Sequence, residues 1–78
     1  MDRDEIEAVV LAVLAAVLKC EVDLNSSRHN TPQWDSLKHI EVIFAVEDEL
    51  DLEFSEEEMA SVESVARIVK LALALHAA

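Results

Sequence analysis

Apolar residues recur near the start of the chain at the spacing of one helix face: Ile6, Val9, Val10, Val13, Leu14, Val17 and Leu18. Ala8, Ala12, Ala15 and Ala16, all strong helix formers, fill the other side. Asp2, Asp4 and Glu5 put negative charge at the N-terminal end, and Lys19 puts positive charge near the other, both favourable to the helix dipole. The pattern predicts a helix over 3–19. From Glu21 to Trp34 the periodicity disappears, and Asn25, Ser26, Ser27, Asn30, Thr31 and Pro32 read as loop. Val22 and Leu24 are expected to dip into the core and anchor it. A connection this long points to a functional loop rather than a simple link.

A second helix is predicted from Ser36 to about Leu50, with Asp35 as its N-cap. Ile40, Val42, Ile43, Val46 and Leu50 supply its inner surface. Leu37, Glu41, Phe44, Glu47 and Asp48 fall on one outward stripe, where an exposed Leu37 and Phe44 amid acids would anchor a partner. The alternative is that both widen the core face. Ser55-Glu56-Glu57-Glu58 fits a capping box for a short helix before Ser61. Val65, Ile68, Val69, Ala72 and Leu75 then trace a last amphipathic helix with Arg67 and Lys70 on its polar side. The expected fold is all-α: a single domain over 1–78, a small four-helix bundle of three main helices and one short one, with a long first loop.

Composition supports this plan. The chain has no glycine, one proline at Pro32 and 53% hydrophobic residues, so turn-rich β architecture is disfavoured while a helical core is affordable. A domain this short buries only about 60% of its unfolded surface, which leaves a slim stability margin. Seventeen acids against six bases give a net charge of −11. That charge argues against nucleic acid and against an anionic membrane, both of which need cations. It favours a basic protein surface, with encounters steered by charge, unless it serves solubility alone. Cys20 stands alone and cannot form an internal disulfide. The apolar run Val9 to Leu18 is too short to span a bilayer, and the acidic start argues against a signal peptide. The expectation is a cytoplasmic monomer.

Two site readings fail on residue identity. A calcium loop starting at Asp23 would need glycine where Arg28 stands and glutamate where Trp34 stands. His29, His39 and His76 are far apart, and Cys20 has no local partner in a metal-ligand spacing. Ser36 and His39 lie close enough on one helix to touch, yet no oxyanion hole or third member accompanies them. An enzyme is not expected. Ser36 instead opens a helix, where free N–H groups and the dipole favour an attached phosphate. Trp34 either staples the helix start onto His39 or packs against the loop, and its large apolar area favours packing. Lys38 and His39 read as a solvated helix face beside Ser36.

Asp35-Ser36-Leu37, followed by Glu41, Glu47, Asp48 and Glu49 on one acidic helix, resembles the attachment site of the acyl carrier proteins and related phosphopantetheine carriers. The helix lengths, long first loop and short third helix match over nearly the whole chain. The resemblance implies that a phosphopantetheinyl transferase moves a 4'-phosphopantetheine arm from coenzyme A to the Ser36 hydroxyl. The thiol of the arm then holds acyl or aminoacyl groups as thioesters. It also implies that Asp35 lies near the metal of the transferase and assists modification, and that Leu37, Glu41, Phe44, Glu47 and Asp48 meet partner enzymes. Those partners are acyl- or aminoacyl-loading ligases and synthases with basic docking surfaces, in fatty-acid, polyketide-like or specialised biosynthesis. The bundle of this family can hold an apolar chain between its last three helices. Pro32-Gln33-Trp34 before the triplet and Lys38-His39 after it depart from the pattern of fatty-acid carriers, and Ser27-Arg28-His29-Asn30-Thr31-Pro32 with Trp34-Asp35-Ser36-Leu37 resembles specialised carriers instead. The rival reading is an acidic helical adaptor that is never modified and docks a basic partner through the second helix.

Self-repulsion at −11 opposes compaction. Adding salt or millimolar divalent cation should therefore raise the melting temperature, followed by circular dichroism. An unchanged or lower midpoint would contradict this reading of the charge.

Overall fold

The computed structural model describes residues 2–77, with Ala77 described by its backbone alone. It is all-helical, with four helices in order: α1 Arg3–Leu18, α2 Ser36–Leu50, α3 Glu56–Ser61 and α4 Val65–Ala77. The expected bundle of three main helices and one short helix is present, and α2 begins and ends where the pattern placed it. Among the described residues no helix is long and apolar enough to cross a membrane.

Local chemistry sets most of the helix ends. Asp2 caps α1 through a bond from Glu5 N (2.9 Å), and Asp35 caps α2 through a bond from Lys38 N (2.9 Å). Ser55 and Glu58 form the predicted capping box at α3, with Ser55 N donating to Glu58 Oε1 (2.8 Å) and Glu58 N to Ser55 Oγ (3.1 Å). Ser64 receives Arg67 N (3.2 Å) at the start of α4. With no glycine available, α1 and α2 end on Lys19 (φ 56°) and Asp51 (φ 55°) in the left-handed region. Each non-glycine residue there costs on the order of 1 kcal/mol, offset because its N–H closes the last turn.

Helix α1 packs against α2 and α4. The core draws Ile6, Val10, Leu14 and Leu18 from α1, Val42, Ile43, Val46 and Leu50 from α2, and Val65, Ile68, Val69 and Ala72 from α4. Helix α3 buries no residue of its own. It is held at its edges by Phe54 and Val62, both buried, and by half-buried Met59. An element with so little buried apolar surface belongs to the low-stability end of the fold.

The long loop is tied down throughout. Asn30 works as its staple: Oδ1 accepts from Ser27 N (2.8 Å) and Thr31 Oγ1 (2.9 Å), and Nδ2 donates to Asn25 O (3.0 Å). Ser26 Oγ accepts from Asp23 N (2.9 Å). The loop also forms an antiparallel bridge from Ser27 to Ser64, with Arg28 N donating to Glu63 O (2.9 Å) and Val65 N to Ser26 O (3.0 Å). This fastens the loop to the link between α3 and α4. Val22 is half-buried against the core as expected, but Leu24 is 44% exposed and anchors nothing. The backbone bonds of this stitched turn, rather than a second apolar side chain, hold the segment.

Two assignments on α2 are corrected. His39 is not on a solvated face: it is buried. Trp34 Nε1 donates to His39 Nδ1 (3.0 Å), so Nδ1 accepts, and in the neutral ring Nε2–H donates to Met59 O at 2.7 Å. Trp34 is itself 2% exposed, with ring centroids 6.0 Å apart. Packing of Trp34 and a contact with the staple position are thus one arrangement. Ile40, expected inside, is 46% exposed, because His39 takes the inward place in that turn.

Replacing Trp34 with Phe strands a buried His39 nitrogen and should cost about 1–3 kcal/mol in urea unfolding, whereas Lys38→Ala should cost well under 1 kcal/mol. The sole tryptophan should emit at short wavelength and resist quenching by acrylamide until the chain unfolds. Ready quenching of the folded protein would contradict the burial.

Candidate functional site

Ser36 is the first residue of α2, and its side chain is exposed. Its place follows from the two residues just before it. Asp35 stops the helix from extending backward by turning its carboxylate onto Lys38 N, and its carbonyl accepts His39 N (2.8 Å). Trp34, just before it, is sunk in the core and fixes where the chain rises into α2. A hydroxyl on the first turn of a helix so held has little freedom to be buried, and it faces solvent beside unpaired helix N–H groups.

One side chain that the sequence pattern does not place beside Ser36 reaches this hydroxyl. Arg28 Nη2 donates to Ser36 Oγ at 3.1 Å. Arg28 Nη1 also lies 3.8 Å from Glu63 Oε1, and His29 Nε2 lies 3.9 Å from Glu63 Oε2. The signal was weak in sequence, since Arg28 is eight residues away and arrives through the Ser27–Ser64 bridge. Lys38, the nearer cation in sequence, turns down the helix and pairs with Glu41 (3.1 Å).

The outward stripe of α2 is present. Leu37 is 68% exposed and Phe44 57%, so neither widens the core face. Ile40 joins them, giving three large apolar side chains at positions 37, 40 and 44 of one helix face. Glu41 and Asp48 are exposed on the same side. Glu47 differs: it is half-buried, and its Oε2 accepts Phe54 N at 2.7 Å. This bond closes the link after α2. Together with Asp48, Asp51 and Glu53, Glu47 borders an acidic recess below Phe44.

Leu37, Ile40 and Phe44 thus form a small exposed apolar patch at successive turns of α2, rimmed by carboxylates; patches of this kind are suited to docking. The Ser36 hydroxyl lies at the upper end of this patch, exposed to solvent. No protein-family model and no curated protein matches this chain.

Asp35→Ala should lower stability by about 1 kcal/mol through loss of the cap. Leu37→Ala, on the exposed stripe, should leave urea unfolding within about 0.5 kcal/mol of the wild type. A large loss from Leu37→Ala would place that side chain in the core instead.

Proposed function

We propose that this protein is a carrier of the acyl carrier type, modified on Ser36 with 4'-phosphopantetheine and without catalytic activity of its own. The observation that carries the reading is the exposed Ser36 hydroxyl on the first turn of α2, directly above the Leu37, Ile40 and Phe44 stripe. Modification requires a hydroxyl that another enzyme can reach, on a segment rigid enough to be recognised. Ser36 has both, through its exposure and through the Asp35 cap and buried Trp34 that precede it.

In that reaction the Ser36 oxygen forms a bond to the pantetheine-side phosphorus of coenzyme A, the pyrophosphate bond breaks to release adenosine 3',5'-bisphosphate, and the serine proton passes to a base of the transferase. When attached, the arm supplies a thiol that holds acyl or aminoacyl groups as thioesters. The chain's own residues anchor and present it. Ser36 fixes the point of attachment, and Asp35 keeps the helix start in register. Leu37, Ile40 and Phe44 offer apolar contact, while Glu41 and Asp48 select basic surfaces. A three-residue apolar centre with an acidic rim suits brief, charge-steered encounters better than a permanent complex. The partners this reading calls for are a phosphopantetheinyl transferase and loading ligases and synthases with basic docking surfaces, in the cytoplasm.

The same face would serve an unmodified acidic adaptor, and the two readings part at Ser36. Incubation with coenzyme A, magnesium and a broad-specificity phosphopantetheinyl transferase should add one phosphopantetheine to the wild type by intact mass, and nothing to a folded Ser36→Ala variant. No gain by folded wild-type protein across several transferases would favour the adaptor.

A further inference from the structure

The carrier reading accounts for Ser36 and the α2 stripe but leaves Arg28 without a role. Its placement is specific. The Arg28 backbone is locked by its N–H to Glu63 O (2.9 Å), next to the Ser27–Ser64 bridge. Its side chain is only 27% exposed, and Glu63 lies 3.8 Å from one guanidinium nitrogen while the other donates to Ser36 Oγ at 3.1 Å. A flexible surface arginine would lose this geometry; here both ends of the side chain are held.

The charges around Ser36 make that position informative. The chain carries seventeen acids and six bases, and an added phosphodiester contributes one more negative charge. Lys38 is engaged with Glu41, and exposed His29 faces Glu63. Arg28 is therefore the cation whose hydrogen bond already ends on the atom that would bear phosphorus. A guanidinium presents a planar fork of donors that matches the oxygens of a phosphate. A bond to a neutral hydroxyl uses little of that capacity.

Resting on the carrier reading, we propose that Arg28 is a positioning residue for the modified serine: its guanidinium pairs with the phosphodiester on Ser36 and holds the root of the arm toward the α3–α4 link. The Ser36 hydroxyl contact is the unmodified form of this clamp. Attachment strengthens it from a bond to a neutral oxygen into an ion pair. Because Arg28 is fixed to Glu63 and the bridge, the modified serine becomes tied to the segment beside α3, the helix with the least buried surface. Modification should then stabilise the fold, and the direction in which the arm leaves Ser36 should depend on Arg28.

The test compares wild type, Arg28→Ala and Arg28→Lys, each unmodified and each loaded by the transferase, with loading verified by intact mass. Loading should raise the melting temperature of the wild type by about 4 °C more than that of Arg28→Ala at low salt, and high salt should shrink the difference. The phosphorus-31 resonance of the loaded protein should move in Arg28→Ala and return part of the way in Arg28→Lys. A plain structural brace would lower the unmodified and loaded forms equally and leave the phosphorus resonance unchanged; that result overturns the clamp alone. Failure of the folded wild type to load would overturn the carrier reading and the clamp together. Should Arg28→Ala not fold, Arg28→Gln, which keeps a neutral donor, replaces it and should show the same loss of the loading-dependent shift.

Discussion

The hydrogen-bonded chain from Trp34 through His39 to the carbonyl of Met59 is the constraint on which this structure most depends. It joins the end of the long loop, the first turn of α2 and the short helix α3. Tryptophan supplies a large apolar body and one donor; histidine accepts that donor and passes a second bond onward. The described residues leave no buried side-chain nitrogen or oxygen without a partner. Such a chain is useful in a domain this small, where the apolar core alone gives a narrow margin. It also holds α3, which buries no residue of its own, against α2.

The same constraint divides α2 into two faces. His39, Val42, Ile43, Val46 and Leu50 face inward. Leu37, Ile40, Glu41, Phe44 and Asp48 repeat that spacing two positions earlier and face solvent. With His39 fixed inside by Trp34, Ile40 and Leu37 are forced out, and Ser36 is set at the rim where the outer face begins. A buried polar contact thereby exposes the hydroxyl and the apolar stripe together, which links the packing of the loop to the proposed carrier function.

Much of this was legible because it is local. Helix periodicity and the caps at Asp35 and Ser55 involve residues within one or two turns, so α2 and the capping box of α3 could be read directly. What was misread depends on distant partners. His39 falls three residues before Val42 and four before Ile43, so its inward place was present in the spacing, but a histidine is polar enough to pass for a surface residue until a donor such as Trp34 is placed against it. Hydrophobicity alone points Ile40 inward, although it lies one turn from Leu37 on the outer stripe. Hydrophobicity alone also points Leu24 inward, whereas the loop is held by Asn30 and the bridge to Ser64. Arg28 was invisible as a neighbour of Ser36 because the bridge that delivers it joins residues far apart in the chain.

The central claim is that Ser36 exists to carry a phosphopantetheine arm, and the most direct measurement is made on protein taken from the cell that produces it. Proteolysis followed by tandem mass spectrometry of the peptide spanning Ser36 should show a serine-linked phosphodiester that ejects the pantetheine fragment on collision. Recovery of that peptide solely as unmodified serine, from cells with an active transferase and from protein isolated intact, would contradict the account and leave the acidic α2 face as a docking surface without cargo.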